Sequence, residues 1–270
     1  GGAKNITEIF LDGLNNVTHL PGLGRLTKLN RLWIERMNKL ESLSSINITD
    51  TLCLWQLHLN QLNINSLTGL ESLISCKAIE IRSLPNIETL QGLEGLNSLG
   101  SLTLFRNENL RNVDALINCS QFEFSSYRPE ISIRNNANLE SIEGLSNWKG
   151  KWRNIKIENN PKLAECAIPP VCEAYGTSTI FSISDNKEGC RNDEEIKMDC
   201  GYEFFMVFMD ENNDGLKNKT EIGLSLGRLE TDNGNTFYPG QNGLGDYNSN
   251  GDINTLEYKT PENWVLTTSN

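Results

Sequence analysis

One apolar spacing recurs through most of this chain and restricts its fold more than any other feature. In residues 102–116, LTLFRNENLRNVDAL, apolar side chains stand at offsets 0, 2, 8, 11 and 14 from Leu102. Ile9 and Leu11 open an earlier copy with Val17, Leu20 and Leu23 behind them. Leu32 and Ile34 open another with Leu40, Leu43 and Ile46. Leu57 and Leu59 lead to Ile64, Leu67 and Leu70 in a copy one residue short. Ile79 and Ile81 lead to Ile87, Leu90 and Leu93. Beyond Leu102 come Ile131, Ile133, Leu139, Ile142 and Leu145, then Ile155, Ile157 and Leu163 with Cys166 in the next apolar place, and finally Phe181 and Ile183. The copies start 22 to 29 residues apart. One copy cannot bury both its strand and its return arc. Stacked copies, with strands paired about 4.8 Å apart, make a parallel sheet and one continuous core.

The pattern L-x-x-L-x-L-x-x-N-x-x-L stands in full as Leu99, Leu102, Leu104, Asn107 and Leu110. It resembles the leucine-rich-repeat family, and more loosely its irregular receptor-L-domain-like branch, over roughly residues 9–200. The implied fold is a β-rich solenoid whose convex side is irregular or carries short helices. The residue five after each strand start belongs in the tight turn. It is Asn107, Asn136, Asn160 and Asn186 in later copies, where a buried amide can bond backbone of its own turn and of the next layer. In the first four copies it is Leu14, Met37, Leu62 and Leu84, so the column is apolar there and its backbone must be satisfied differently. Trp148 and Trp152 replace leucines of the arc and read as core. The longest copy carries extra residues around Phe122, Phe124, Tyr127 and Pro129, expected to bulge as a loop.

Seven cysteines fall into two groups. Cys53, Cys76 and Cys119 lie within the repeats and read as small buried hydrophobes. Cys166, Cys172, Cys190 and Cys200 close the ladder. Zinc favours ligand pairs two to four residues apart, whereas the nearest pair here is six apart, so two disulfides are expected. Cys166 and Cys190 follow strands of adjacent layers by 11 and 9 residues, which favours Cys166–Cys190 with Cys172–Cys200. The block, about residues 163–200, resembles the cysteine-rich caps of secreted leucine-rich-repeat proteins. It implies a secreted or cell-surface location, since no signal peptide stands in these residues to settle the compartment.

The pattern changes after Cys200, which sets the domains at 1–200 and 201–270. The tail holds 11 acidic residues against 4 basic and supplies most of the chain's net charge of −11. Strands are expected near 202–209, 222–230, 235–239, 253–259 and 263–268, in a small all-β sandwich. The stretches VFMDENNDGLKNKTEIGL and EYKTPENWVLTT resemble the SdrD B-like (Cna-B-type, transthyretin-like) domains of bacterial surface proteins, which are calcium-binding spacers. Asp210, Asn212, Asp214, Gly215 and Glu221 match D-x-[DN]-x-[DN]-G-x5-E. Oxygen ligands at positions 1, 3 and 5 wrap a calcium ion, Gly allows the sharp turn, and the last Glu closes the site. Leu216 would give a backbone carbonyl, and Asn218 would act through water. The alternative is an Asn/Asp-rich solvated turn. A second match, Asp246, Asn248, Asn250, Gly251 and Glu257, is followed by strand-like residues, which favours a plain turn over a second cation site.

The acidic charge argues against nucleic acid as a partner, and no apolar run reaches membrane-span length. The two histidines, His19 and His58, sit in no nucleophile motif, and no phosphate-binding glycine loop is present, so no catalytic residue is assigned. Binding is the better expectation. Residues flanking the second apolar position of each strand share the open, concave side. One column is Phe10, Trp33, His58, Glu80, Thr103, Ser132, Lys156 and Ser182. The other is Asp12, Glu35, Asn60, Arg82, Phe105, Arg134, Glu158 and Ser184. Phe10, Trp33, His58, Arg82, Phe105 and Arg134 form the candidate contact set for a protein or glycan, though aromatics in such a column also serve simply to cover the sheet. A recognition module is therefore expected. The alternatives are a structural stalk or surface-layer fragment that binds nothing specific, and the accessory part of a larger secreted enzyme.

Overall fold

A computed structural model describes residues 6–20, 29–46, 52–121, 129–175, 177–209, 229–230, 236–237, 244–248 and 264–268. The chain divides into two compact units, Gly1–Ile196 and Lys197–Asn270.

The first unit is a parallel β-solenoid of about seven turns. Its strands are β1 (Glu8–Asp12), β2 (Arg31–Met37), β3 (Leu52–Leu62), β4 (Leu73–Arg82), β5 (Ser98–Phe105), a two-residue β6 (Ser120–Gln121), β7 (Glu130–Arg134), β8 (Asn154–Glu158) and β9 (Ile180–Ser184). They pair in chain order, save that β6 lies beside the start of β5 and β7 takes the next place in the sheet. Ile9, Leu32, Leu57, Ile79, Leu102, Ile131, Ile155 and Phe181 lie side by side in one register column, as the repeat spacing requires. The return arcs fill the interior: Leu40, Leu43, Ile46, Leu67, Leu90, Val113, Leu116 and Leu145 are buried. Short 3-10 turns at Asp114–Leu116 and Glu143–Leu145 form part of the convex side. The close stacking requires glycine there. A Cβ on Gly92 would stand 2.3 Å from the Leu67 carbonyl oxygen of the layer before it.

Each copy turns at the residue four after its first apolar strand residue. Gly13, Arg36, Gln61, Ser83, Arg106, Asn135, Asn159 and Asp185 all adopt positive φ, between 52° and 67°. The next residue then enters the interior. Asn107, Asn136, Asn160 and Asn186 form a buried ladder in which each side-chain oxygen accepts the backbone N–H of the preceding layer's turn residue, at 3.0–3.1 Å. Each amide nitrogen donates to a carbonyl of the preceding strand: Ile81, Leu104, Ile133 and Ile157. In the apolar half β2 and β3 run further, so that Met37 and Leu62 pair directly as backbone.

Three features differ from expectation. Strands β3, β4 and β5 begin four to six residues before the apolar pair. Leu54, Cys76 and Leu99 are strand residues in register. Cys53 is exposed, because the alternation that buries Leu52 and Leu54 turns the residue between them outward. Leu14 is exposed too, since in the terminal coil that turn position is packed on one side only. Cys76, Cys119, Trp148 and Trp152 are buried as expected.

The closing segment contains α1 (Pro169–Cys172), started by proline, and α2 (Asp193–Asp199). Two disulfides tie it: Cys166 and Cys190 are bonded with Cα atoms 5.4 Å apart, and Cys172 and Cys200 are the other bonded cysteines. Tyr175 stacks on Phe181 at 4.3 Å, covering the last strand.

The second unit contains β10 (Tyr202–Met209), β11 (Leu229–Glu230), β12 (Thr236–Phe237), β13 (Leu244–Asn248) and β14 (Trp264–Thr268). Strand β10 is central, with β13 and β14 antiparallel on its two sides, while β11 pairs with β12. Strand β13 occupies residues read as a turn: Asp246 and Asn248 lie in register with Phe204 and Tyr202. Asp210, Asn212, Asp214, Leu216, Asn218, Glu221, Asn250 and Glu257 lie outside the described residues, as do Phe122, Phe124 and Tyr127.

Candidate functional site

The strand pairing aligns both concave columns in the register read from the sequence. Phe10, Trp33, His58, Glu80, Thr103, Ser132, Lys156 and Ser182 are mutual neighbours. So are Asp12, Glu35, Asn60, Arg82, Phe105, Arg134, Glu158 and Ser184. Two clusters stand out on this face.

The first surrounds His58. Its ring stacks on Trp33 with centroids 3.6 Å apart and planes 13° from parallel, and Phe10 leans on the other side of Trp33 at 6.1 Å. His58 Nε2 lies 3.4 Å from Glu35 and Nδ1 3.4 Å from Glu80, though neither contact is aligned as a hydrogen bond. Arg82 donates to Glu80 from Nε at 3.1 Å, and Gln56 donates to its other oxygen at 3.3 Å. His58 beside it, and then the Arg82 guanidinium, hold the Glu80 carboxyl down at about 2 against partial burial. His58 is 5% exposed, with one face of its ring stacked against Trp33, so little of the ring is open on this side of the sheet. Phe10 is exposed, and Trp33 is half-buried.

The second cluster surrounds Phe105, which is half-buried at the end of β5. Three guanidinium carbons approach its ring: Arg106 at 5.0 Å, Arg134 at 5.4 Å and Arg82 at 5.9 Å. Each contact is an attraction between a cation and the ring's electron-rich face. Arg82 is paired with Glu80. Arg134 donates to the Ser132 hydroxyl at 3.1 Å. Among the described residues, neither Arg106 nor Arg134 has a carboxylate within ion-pair distance. Glu158, the register neighbour of Arg134, accepts a hydrogen bond from the Ser182 hydroxyl instead. Arg106 belongs to neither concave column and was not legible as a contact residue. Its positive φ swings it back beside Phe105, and only the turn column, seen across all copies, signals this.

Burial pushes the Cys76 and Cys119 thiols up to about 12, which leaves them unreactive at neutral pH. Among the described residues no group of three or more His, Cys, Asp or Glu is placed to hold a metal ion, and no helix is long and apolar enough to cross a membrane. The fold and its disulfides define a parallel β-solenoid protein of an oxidising environment. No known protein family, curated protein or solved structure matches the chain.

Proposed function

We propose that this chain is a secreted or cell-surface, non-enzymatic recognition module of the leucine-rich-repeat kind. It binds a protein or glycan on its concave face. The observation that carries this reading is the Phe105 cluster. An aromatic ring ringed by guanidinium groups, two of them without a carboxylate partner among the described residues, belongs to the residue types that anchor interfaces, and it lies at the middle of the sheet. A sheet that needed only to be covered would pair those charges. The test is a Trp33→Ala, Phe105→Ala double variant with its fold checked by circular dichroism. Its binding to any hit from an extracellular protein and glycan array should fall at least about tenfold. Unchanged binding would reject the concave face, and a blank array with the native chain would favour a structural stalk.

The tail, in this reading, is an SdrD B-like spacer stiffened by calcium through Asp210, Asn212, Asp214, Leu216, Asn218 and Glu221. What supports it is the full match to the loop pattern and the preceding strand β10. Isothermal titration with calcium tests it. The native chain should release or absorb heat that an Asp210→Ala, Glu221→Ala variant does not, and equal heats would remove the claim. The accessory region of a larger secreted enzyme is the remaining reading, and the sequence of the full gene would decide it.

A further inference from the structure

We infer that the Phe105 cluster is a carboxylate-binding site, built to hold an acidic side chain of a polypeptide segment laid across the concave face. This deepens the recognition reading above and rests on it. Three like charges converge on one ring within 6 Å, and two of them lack an anionic partner among the described residues. A carboxylate placed among them relieves their mutual repulsion. It also meets the planar fork of each guanidinium with two parallel hydrogen bonds.

Arg106 strengthens the case. Its φ of 56° lies in the left-handed region, which Gly, Asn or Asp occupies at least cost and which Asn135, Asn159 and Asp185 occupy in the following layers. Arg36 stands at the same turn position in an earlier layer, and there the side chain is used: it pairs with Asp12. Among the described residues Arg106 has no such carboxylate partner, which leaves its guanidinium open to an anion. It also lines a recess of about 580 Å³ with Asn135 and Asn159, whose side-chain amides can bond a bound segment's backbone, while Glu108 and Asp185 add carboxylates to the same lining.

The surroundings select a short acidic group over a polyanion. Glu35 and Glu80 border the cluster on one side and Glu158 on the other, and the whole chain carries a net charge of −11. A sulfated polysaccharide or a nucleic acid would meet repulsion a few ångströms beyond the arginines. A neutral sugar would leave the guanidinium charges gathered around the Phe105 ring unmatched.

The experiment compares a fluorescein-labelled peptide carrying glutamates at alternate positions with its glutamine counterpart, by anisotropy at low salt. The native chain should bind the glutamate peptide at least about tenfold more tightly, and an Arg106→Gln, Arg134→Gln variant should erase that ratio. Equal binding of the two peptides, or a ratio that survives the substitutions, would overturn the inference. So would heparin binding that depends on these arginines without any preference between the peptides. If the double variant fails to fold, Arg106→Gln alone decides, because its side chain is exposed: a loss of about threefold or more is expected, and no loss overturns the inference. If the peptide preference is absent while Trp33→Ala, Phe105→Ala still weakens capture of an array hit, the recognition reading stands and only the acidic ligand falls.

Discussion

The backbone N–H of Asn107 donates to the side-chain oxygen of Asn136 at 3.0 Å, one coil further along the solenoid. Both residues are fully buried, so each amide replaces the water that a turn would otherwise need. Asn107 itself accepts the Leu84 N–H and donates to the Ile81 carbonyl. Replacing it with leucine, the residue type at position 84, strands those two buried backbone groups. Asn107→Leu should lower stability by about 2 to 4 kcal/mol, read from urea unfolding. A loss below about 1 kcal/mol would show that the coil can relax to satisfy them.

Glu80 makes the acid limb of stability depend on the concave face. It ionises near 2 in the folded chain against 4.5 in an open one, so the folded state sheds this proton more readily. Its ionised form therefore stabilises the fold above about pH 4.5, and that contribution fades as pH falls from 4.5 toward 2. Glu80→Gln should flatten this part of the unfolding-midpoint curve while leaving the chain less stable than the native one at pH 7. An acid limb of unchanged slope would mean that His58 and Arg82 do not hold the carboxylate.

Gln61 occupies the left-handed turn position with an exposed side chain. Glycine carries no Cβ penalty there, so Gln61→Gly should raise stability, by up to about 1 kcal/mol. The same change at Arg36 should gain less, because Arg36 is also ion-paired with Asp12. Thermal unfolding of the two variants in one buffer compares them directly.

Cys166 and Cys190 close a loop of sequence separation 24 at the end of the solenoid, and both are buried. Cys166→Ala, Cys190→Ala should cost about 3 kcal/mol, mainly through a freer unfolded chain. Proteolysis of the variant should begin near α1 and α2, where the cap loses its tie, and leave the central coils for last. Cleavage that begins in the central coils would contradict this order.

The repeat spacing was enough to place the first apolar residue of every copy in one register column and to set both concave columns, because an apolar period must be matched by a stack of similar turns before any side chain is buried. It also singled out Asn107, Asn136, Asn160 and Asn186, since a polar residue at a core offset needs a partner and the stack supplies one. Only the tertiary structure decided what those columns do. His58 stands in a contact column, yet its ring is buried, stacked on a Trp33 that lies 25 residues away in the chain. Arg106 reads as an ordinary turn residue until its positive φ aims it at Phe105. Cys53 reads as core until the alternation of β3 turns it outward. Local pattern determines which residues must go inside. Which of the remainder meet one another, and which charges stay unpaired, depends on side chains brought together across layers, and no single copy of the repeat contains that information.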